Sequence, residues 1–185
     1  MKISVGISNH HVHLNIDDYK ILFGNEPLTK RNDLNQPGMF ASNQVVAIKG
    51  NKRCIENIRV LGPLRDYTQV EVSKTDAYIL GIDPPVRSSG ELIDAATVTI
   101  IGPYGEITKN VAIIANRHIH VDRKIREEKG LIGVNKVSIK IGGEKAGQID
   151  NVYLKDSEEA YFELHLDTDD ANAFMLKQDD EVDII

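Results

Sequence analysis

The chain has 185 residues, 41% of them hydrophobic, and a formal charge of -6 at neutral pH. That is enough apolar material for one sizeable domain or two small ones, and the negative balance excludes a general nucleic-acid or anionic-membrane binder, which needs a clustered basic surface. A single cysteine, Cys54, allows no intrachain disulfide and points to a reducing, cytoplasmic setting; neither a secretory leader nor an apolar run of about 18 residues is present.

Residues 2–8 read as a strand running into Asn9-His10-His11-Val12-His13, and residues 17–23 as a short helix with acidic residues in its first turn and Gly24 at its end. Asn35-Gln36-Pro37-Gly38 is a turn. Residues 45–49 and 55–61 read as two strands joined across Gly50-Asn51-Lys52-Arg53, a hairpin whose tip carries two cations. Cys54, in an apparent strand and without a nearby histidine in sequence, reads as a packed residue. Gly62-Pro63-Leu64-Arg65 closes that strand, a further strand holds Glu71, and residues 74–80 suit a helix ended by Gly81.

The irregular stretch 84–90 is the candidate connection between two halves. Residues 97–101 and 111–115 resume the strand pattern around the turn Gly102-Pro103-Tyr104-Gly105 and lead into Asn116-Arg117-His118-Ile119-His120. A charged helix over 123–129 stops at Gly130. Residues 137–141 and 149–154 form a hairpin across Gly142-Gly143. The strand of His165, a helix over 169–176 and a strand over 182–185 finish the chain. Short strands and few helices in two related halves predict a mainly β protein of two pseudo-repeated antiparallel β-barrels with short capping helices. The sequence halves are 1–100 and 101–185, with exchange of strands between the barrels left open.

Five of the six histidines lie in the two His-x-His segments. On a strand, alternate side chains share a face, so His11 stands beside His13 and His118 beside His120. The sixth, His165, aligns with Glu71 when residues 162–171 are laid on 68–77, and 149–154 aligns with 55–60. Each half thus supplies His-x-His plus a third metal-type ligand: His11, His13 and Glu71, then His118, His120 and His165. Histidine with glutamate is a zinc ligand set, and three protein ligands leave a coordination position open for catalysis. One His-x-His alone is more often a polar outer face; recurrence with a third ligand at matching places favours metal.

Arg65 suits an anion, because guanidinium matches phosphate oxygens bidentately, although an isolated arginine is more often a surface or ion-pair residue. Lys52, Arg53 and Arg59 add positive charge nearby in sequence. The Ser88-Ser89-Gly90 loop can donate to an anion and reads equally well as a plain linker. No Ser-His-Asp order, phosphate-binding glycine loop or dinucleotide fingerprint occurs.

Seven segments together resemble one family: Ser8-Asn9-x-His11-Val12-His13-Leu14, Gln36-Pro37-Gly38-x-Phe40-Ala41, Arg59-Val60-Leu61-Gly62-Pro63-x-Arg65, Thr68-Gln69-Val70-Glu71-Val72-Ser73, Pro85-Val86-Arg87-x-Ser89-Gly90, Arg117-His118-Ile119-His120, and His165-x-Asp167-Thr168-Asp169-x-Ala171-Asn172-Ala173. They run the length of the chain in the order found in the PduL-type phosphotransacylases, also called phosphate propanoyltransferases. The resemblance implies two β-barrel domains and a centre of two zinc ions per chain between them, with reversible exchange of a short acyl group between coenzyme A and phosphate. Carried over position by position, one zinc falls to His11, His13 and Glu71 and the other to His118, His120 and His165. Arg65 binds phosphate and is the catalytic cation, and Ile7, Ser8, Asn9, Lys52, Arg59 and Asn172 contact coenzyme A.

The sequence departs from the family at His10, where the first clamp usually has the arginine that the second keeps as Arg117, and at Asn51, where proline is common. Family members inside bacterial microcompartments carry an amphipathic N-terminal extension. None precedes the first strand here, so the expectation is a free cytoplasmic enzyme, or a chain whose extension was removed, with no nucleic-acid or membrane partner; a homo-oligomer is left open. The competing readings are a binuclear metallohydrolase acting on acyl thioesters and a non-catalytic zinc-stabilised domain.

Overall fold

Alternation of apolar and polar residues governs most of the chain, and a computed structural model describing residues 1–157 and 161–185 converts it into short strands. In chain order these are β1 (Lys2–Ser8), β2 (His11–His13), helix α1 (Ile16–Phe23), β3 (Lys30–Asp33), β4 (Phe40–Lys49), β5 (Cys54–Gly62), β6 (Gln69–Glu71), α2 (Lys74–Leu80), β7 (Val86–Arg87), β8 (Ala96–Ile101) and β9 (Glu106–Ala115). Then follow β10 (His118–Val121), α3 (Arg123–Glu128), β11 (Lys136–Ile141), β12 (Gly147–Asp156), β13 (Glu163–Asp167), α4 (Thr168–Ala173) and β14 (Glu181–Ile184). Among the described residues, no helix is long and apolar enough to cross a membrane.

The chain divides into two compact units, His10–Ala115 and Met1–Asn9 with Asn116–Ile185. In the first, β4 pairs with β5, β5 with β2, β2 with β6, β6 with β9, β9 with β8, and β8 with β4, closing a ring of six strands. The second unit is a closed barrel in the order β1-β13-β10-β12-β11-β14. Each ring is mainly antiparallel with two parallel pairings, and these fall at matching places: β2 with β5 and β10 with β12, then β6 with β9 and β13 with β1. The units therefore do not follow a boundary at residue 100. β9 leads into the second histidine clamp yet completes the first ring, and β1 leads into the first clamp yet completes the second. The stretch 84–90 is no bridge between units either, because β7 adds to β9 and the Ile114 amide donates to the Pro85 carbonyl.

Each ring has its own core. Val12, Val46, Ile48, Ile58, Val60, Val70, Val98 and Ile100 fill the first, and Ile3, Val5, Ile119, Ile139, Val152, Leu164 and Leu166 fill the second. The helices are held by local caps. Asn15 accepts from the Asp18 amide at the start of α1, and Asp18, itself buried, takes Thr68 Oγ1 and Lys109 Nζ and so ties α1 to β9. Ser73 and Asp76 form a capping box at the start of α2, which ends in left-handed Gly81.

Some segments differ from the sequence expectation for identifiable reasons. β3 is exposed and polar throughout, so it shows no alternation. β4 begins at Phe40 rather than Val45 because an irregularity between Ala41 and Val45 interrupts the period, with Ser42 buried and donating to the Val60 carbonyl. The final helix covers 168–173 rather than 169–176 and stops before Met175, whose φ is positive. Cys54 opens β5 at an exposed position and is not packed.

A register shift recurs in both units. Val46 and Ile48 face Ile58 and Ile55, and Val137 and Ile139 face Val152 and Ile149, so β5 and β12 each carry one extra residue. The extra residue includes a left-handed asparagine each time, Asn57 at φ 60° and Asn151 at φ 59°. Asparagine tolerates this region and β-branched residues do not. Asn57→Val and Asn151→Val should each lose roughly 1–3 kcal/mol in urea denaturation, while Asn57→Gly and Asn151→Gly should stay close to wild type. Equal losses for valine and glycine would show that backbone conformation is not the reason for asparagine.

Candidate metal and anion site

Since Val12 and Val70 point into the first core, their neighbours His11, His13 and Glu71 stand on the outer face of the ring. Register puts His11 opposite Glu71 and His13 opposite Gln69. The two imidazoles meet edge to face with centroids 5.0 Å apart, and the Glu71 carboxylate lies 3.4 Å from His11 Nε2 and 3.9 Å from His13 Nε2. In the second unit, Ile119 and Leu164 face inward, so His118, His120 and His165 share the outer face, with His118 opposite His165 and His120 opposite Glu163. Their ring centroids form a near-equilateral triangle with sides of 4.9, 5.0 and 4.9 Å.

Within each set, the donor atoms lie within 4.8 Å of one another, close enough to converge on one ion. The chemistry of the donors fits a metal such as zinc. His118 Nδ1 is 2.9 Å from the Asn116 carbonyl, which can only accept, so Nδ1 carries the hydrogen and Nε2 the lone pair. Burial first, then the neighbouring His118 and His165, push His120 down to about 3, which keeps it a neutral imidazole as a metal requires.

The anion candidate adjoins the first triad. Arg65 Nη1 donates to Tyr67 Oη at 2.8 Å and to Ser89 Oγ at 3.0 Å, and the guanidinium lies over the Tyr67 ring. Ser89 in turn donates to Glu71 Oε1 at 3.4 Å and accepts from Gln69 Nε2 at 2.9 Å, while the Gly90 amide donates to Gln69 Oε1. Ser89 and Gly90 thus join this hydrogen-bond network, and the glycine has the positive φ of 95° that the turn needs. Arg59 lies opposite His11, and its Nη1 donates to the Ser42 and Asn43 carbonyls freed by the irregularity in β4. Lys52 is farther along the hairpin, with its stem against Gly81 and its ammonium over the Tyr78 ring. Ile7, Ser8, Asn9 and Asn172 belong to the second unit: Ile7 and Ser8 pair with Leu166 and Asp167, where α4 begins, and Asn172 is exposed on α4.

Sequence reading missed Gln69, Tyr161, Glu163 and Lys155. Gln69 and Glu163 lie two residues before Glu71 and His165 on the same strand face, and Tyr161 lies two further back, just before β13, a period-2 signal that was legible. Lys155 was not legible, because only register sets it beside His120. Tyr161 donates to Glu163, and burial, then Glu163, raise its hydroxyl so that it stays a donor. The clamp residue in doubt also finds its place. Arg117 makes a bidentate pair with Asp170 at 2.7 and 2.6 Å, and at the matching position His10 Nδ1 sits 3.1 Å from Asp76. His10 therefore makes the contact that arginine makes in the other half.

The sequence matches the phosphate propanoyltransferase family over residues 4–177. A phosphate propanoyltransferase of Rhodopseudomonas palustris (strain BisB18) is 43% identical over 185 residues, covering 99% of this chain and 82% of the relative. One from Thermotoga maritima is 45% identical, with 99% of this chain and 89% of the relative covered, and one from Salmonella typhimurium is 40% identical, with 92% and 82% covered.

Burial alone raises the Asp76 carboxyl, but hydrogen bonds from His10 and the Ser73 backbone outweigh it and hold Asp76 below its ordinary 3.8. Such a group adds stability that is complete above the unfolded value and is lost as pH falls through the native one. The stability gap between wild type and Asp76→Asn should therefore be widest near neutral pH and shrink below pH 3.8. Urea denaturation across that range checks it, and a pH-independent gap would contradict it.

Proposed function

The chain belongs to the phosphate propanoyltransferase family and is an acyltransferase, and from that premise we propose that it exchanges a propanoyl or acetyl group reversibly between coenzyme A and phosphate, with one zinc ion held by each triad. His11, His13 and Glu71 hold one ion, and His118, His120 and His165 the other. When bound, zinc supplies Lewis-acid stabilisation of negative charge, and its affinity for sulfur suits a thiolate leaving group.

The observation that carries this reading is the position of Arg65. A cation fixed on one edge by Tyr67 and Ser89 is linked through Ser89 to Glu71. Both bonds use Nη1, so the Nε and Nη2 edge is the one assigned to phosphate, which it matches bidentately. Arg65 lowers the repulsion between a dianion and the developing oxyanion and holds an oxygen in line for attack. That oxygen adds to the thioester carbonyl carbon. The carbon–sulfur bond then breaks, and its electron pair leaves on sulfur, giving acyl phosphate and the coenzyme A thiolate. Contacts with coenzyme A are assigned to Ile7, Ser8, Asn9, Lys52, Arg59 and Asn172.

Purified protein should form acyl phosphate from propanoyl-CoA only when both phosphate and zinc are supplied, and chelation should abolish turnover until zinc is restored. Arg65→Ala should raise the KM for phosphate and lower kcat/KM roughly tenfold to a hundredfold, the worth of a hydrogen-bonded charge pair, with unchanged thermal denaturation. Release of coenzyme A without phosphate would instead indicate a hydrolase. A zinc-loaded chain without turnover would indicate a metal-stabilised binding domain.

A further inference from the structure

The residue two places before the third donor occupies the same position in both units and has opposite hydrogen-bonding character. On β6, Gln69 Nε2 donates to Glu71 Oε1 at 2.6 Å. On β13, Glu163 Oε2 lies 3.0 Å from His165 Nε2. Each of these residues is also paired across the sheet with the second histidine of its clamp, Gln69 with His13 and Glu163 with His120. A carboxylate is thus backed by an amide that donates, and an imidazole by a carboxylate that accepts.

The contacts place the hydrogen on His165. Tyr161 spends its only hydroxyl hydrogen on Glu163, so its oxygen, 2.9 Å from His165 Nε2, can only accept there. With the Glu163 carboxylate oxygen beside that hydroxyl and 3.0 Å from the same nitrogen, Nε2 faces two acceptors, and a bare lone pair at that position would oppose both. Nε2 therefore carries the hydrogen and Nδ1 the lone pair. Glu163 is 6% exposed and stands outside the set of mutually close donor atoms. β1 makes room for it. A Cβ at Gly6 would come within 2.5 Å of Glu163 Oε2 and 2.9 Å of its Cδ.

Resting on the reading of the triads as metal sites, we propose that Glu163 is the positioning residue of the second site. With Tyr161 it holds the Nε2–H of His165 and thereby selects Nδ1 as the metal-binding atom, whereas His118 binds through Nε2. Gln69 holds Glu71 in the corresponding way in the first unit. The specificity lies in the match: each backing residue has the character that its own ligand needs, since a glutamate at position 69 would set a second carboxylate against Glu71, and a glutamine at position 163 would offer His165 only the weaker acceptor of an amide.

Zinc titration against a chromophoric chelator, combined with long-range proton–nitrogen spectra of histidine-labelled, zinc-loaded protein, tests this. Wild type should take two zinc ions, with His165 metallated at Nδ1 and protonated at Nε2. Glu163→Ala should weaken one site about 10- to 100-fold, the usual effect of removing a carboxylate behind a ligating histidine, and leave the other unchanged. Glu163→Gln should recover part of the loss because its amide oxygen still accepts. Gly6→Ala, which removes no polar group, should weaken the same site by displacing Glu163. Zinc on Nε2 of His165, or a folded Glu163→Ala that binds both ions as tightly as wild type, overturns the proposal while leaving the metal reading intact. A wild-type chain that takes up no zinc overturns the metal reading and this proposal with it. Should Glu163→Ala fail to fold, the ring-nitrogen assignment in wild type decides.

Discussion

In a closed ring of six strands every strand has two neighbours, so none can slide by one residue without breaking two ladders and turning its inward side chains outward. This constraint fixes the two triads. With Val12 and Val70 held in one core and Ile119 and Leu164 in the other, the histidines and Glu71 can only stand outside, and register alone decides which of them meet. His11 faces Glu71 and His118 faces His165 because the apolar residues between them leave no other pairing. The geometry of the donors is thus a by-product of burying valine, isoleucine and leucine, the largest favourable contribution that the fold has.

The two units repeat more than their candidate ligands. Both rings have parallel pairings at the same two places, both carry a left-handed asparagine in the same strand, and both tie the clamp to the helix after the third ligand through an aspartate. Within that shared frame, single residues have diverged in compensating pairs. Arg117 with Asp170 becomes His10 with Asp76, and Glu163 behind His165 becomes Gln69 behind Glu71. Each exchange keeps a donor against an acceptor, which is the condition for holding polar groups in partly buried surroundings.

The units differ in what surrounds the donors. The first adds a cation, since Arg65 reaches Glu71 through Ser89, and the Glu71 carboxylate is embedded in a network of amide and hydroxyl donors. The second has only imidazoles as donors, backed by a buried acid and a tyrosine.

By itself, the sequence determined the duplication, the mainly β class and the two clusters of side chains that the fold brings together, because histidine at alternate positions and a matching third residue survive reading one residue at a time. It also carried the glycine that ends α2 and the hairpin at Gly50. It could not show that β1 and β9 each close the ring of the other half, since strand pairing depends on neighbours distant in the chain. The interrupted period at Ser42 hid the start of β4, and the polar edge strand β3 gave no alternation to read. Only tertiary structure turned Ser89 from a linker residue into the link between Arg65 and Glu71, and gave His10 its aspartate partner. The reason is the same in each case: a strand's local pattern fixes which way its side chains point, but what they meet is set by register against strands that the local pattern does not contain.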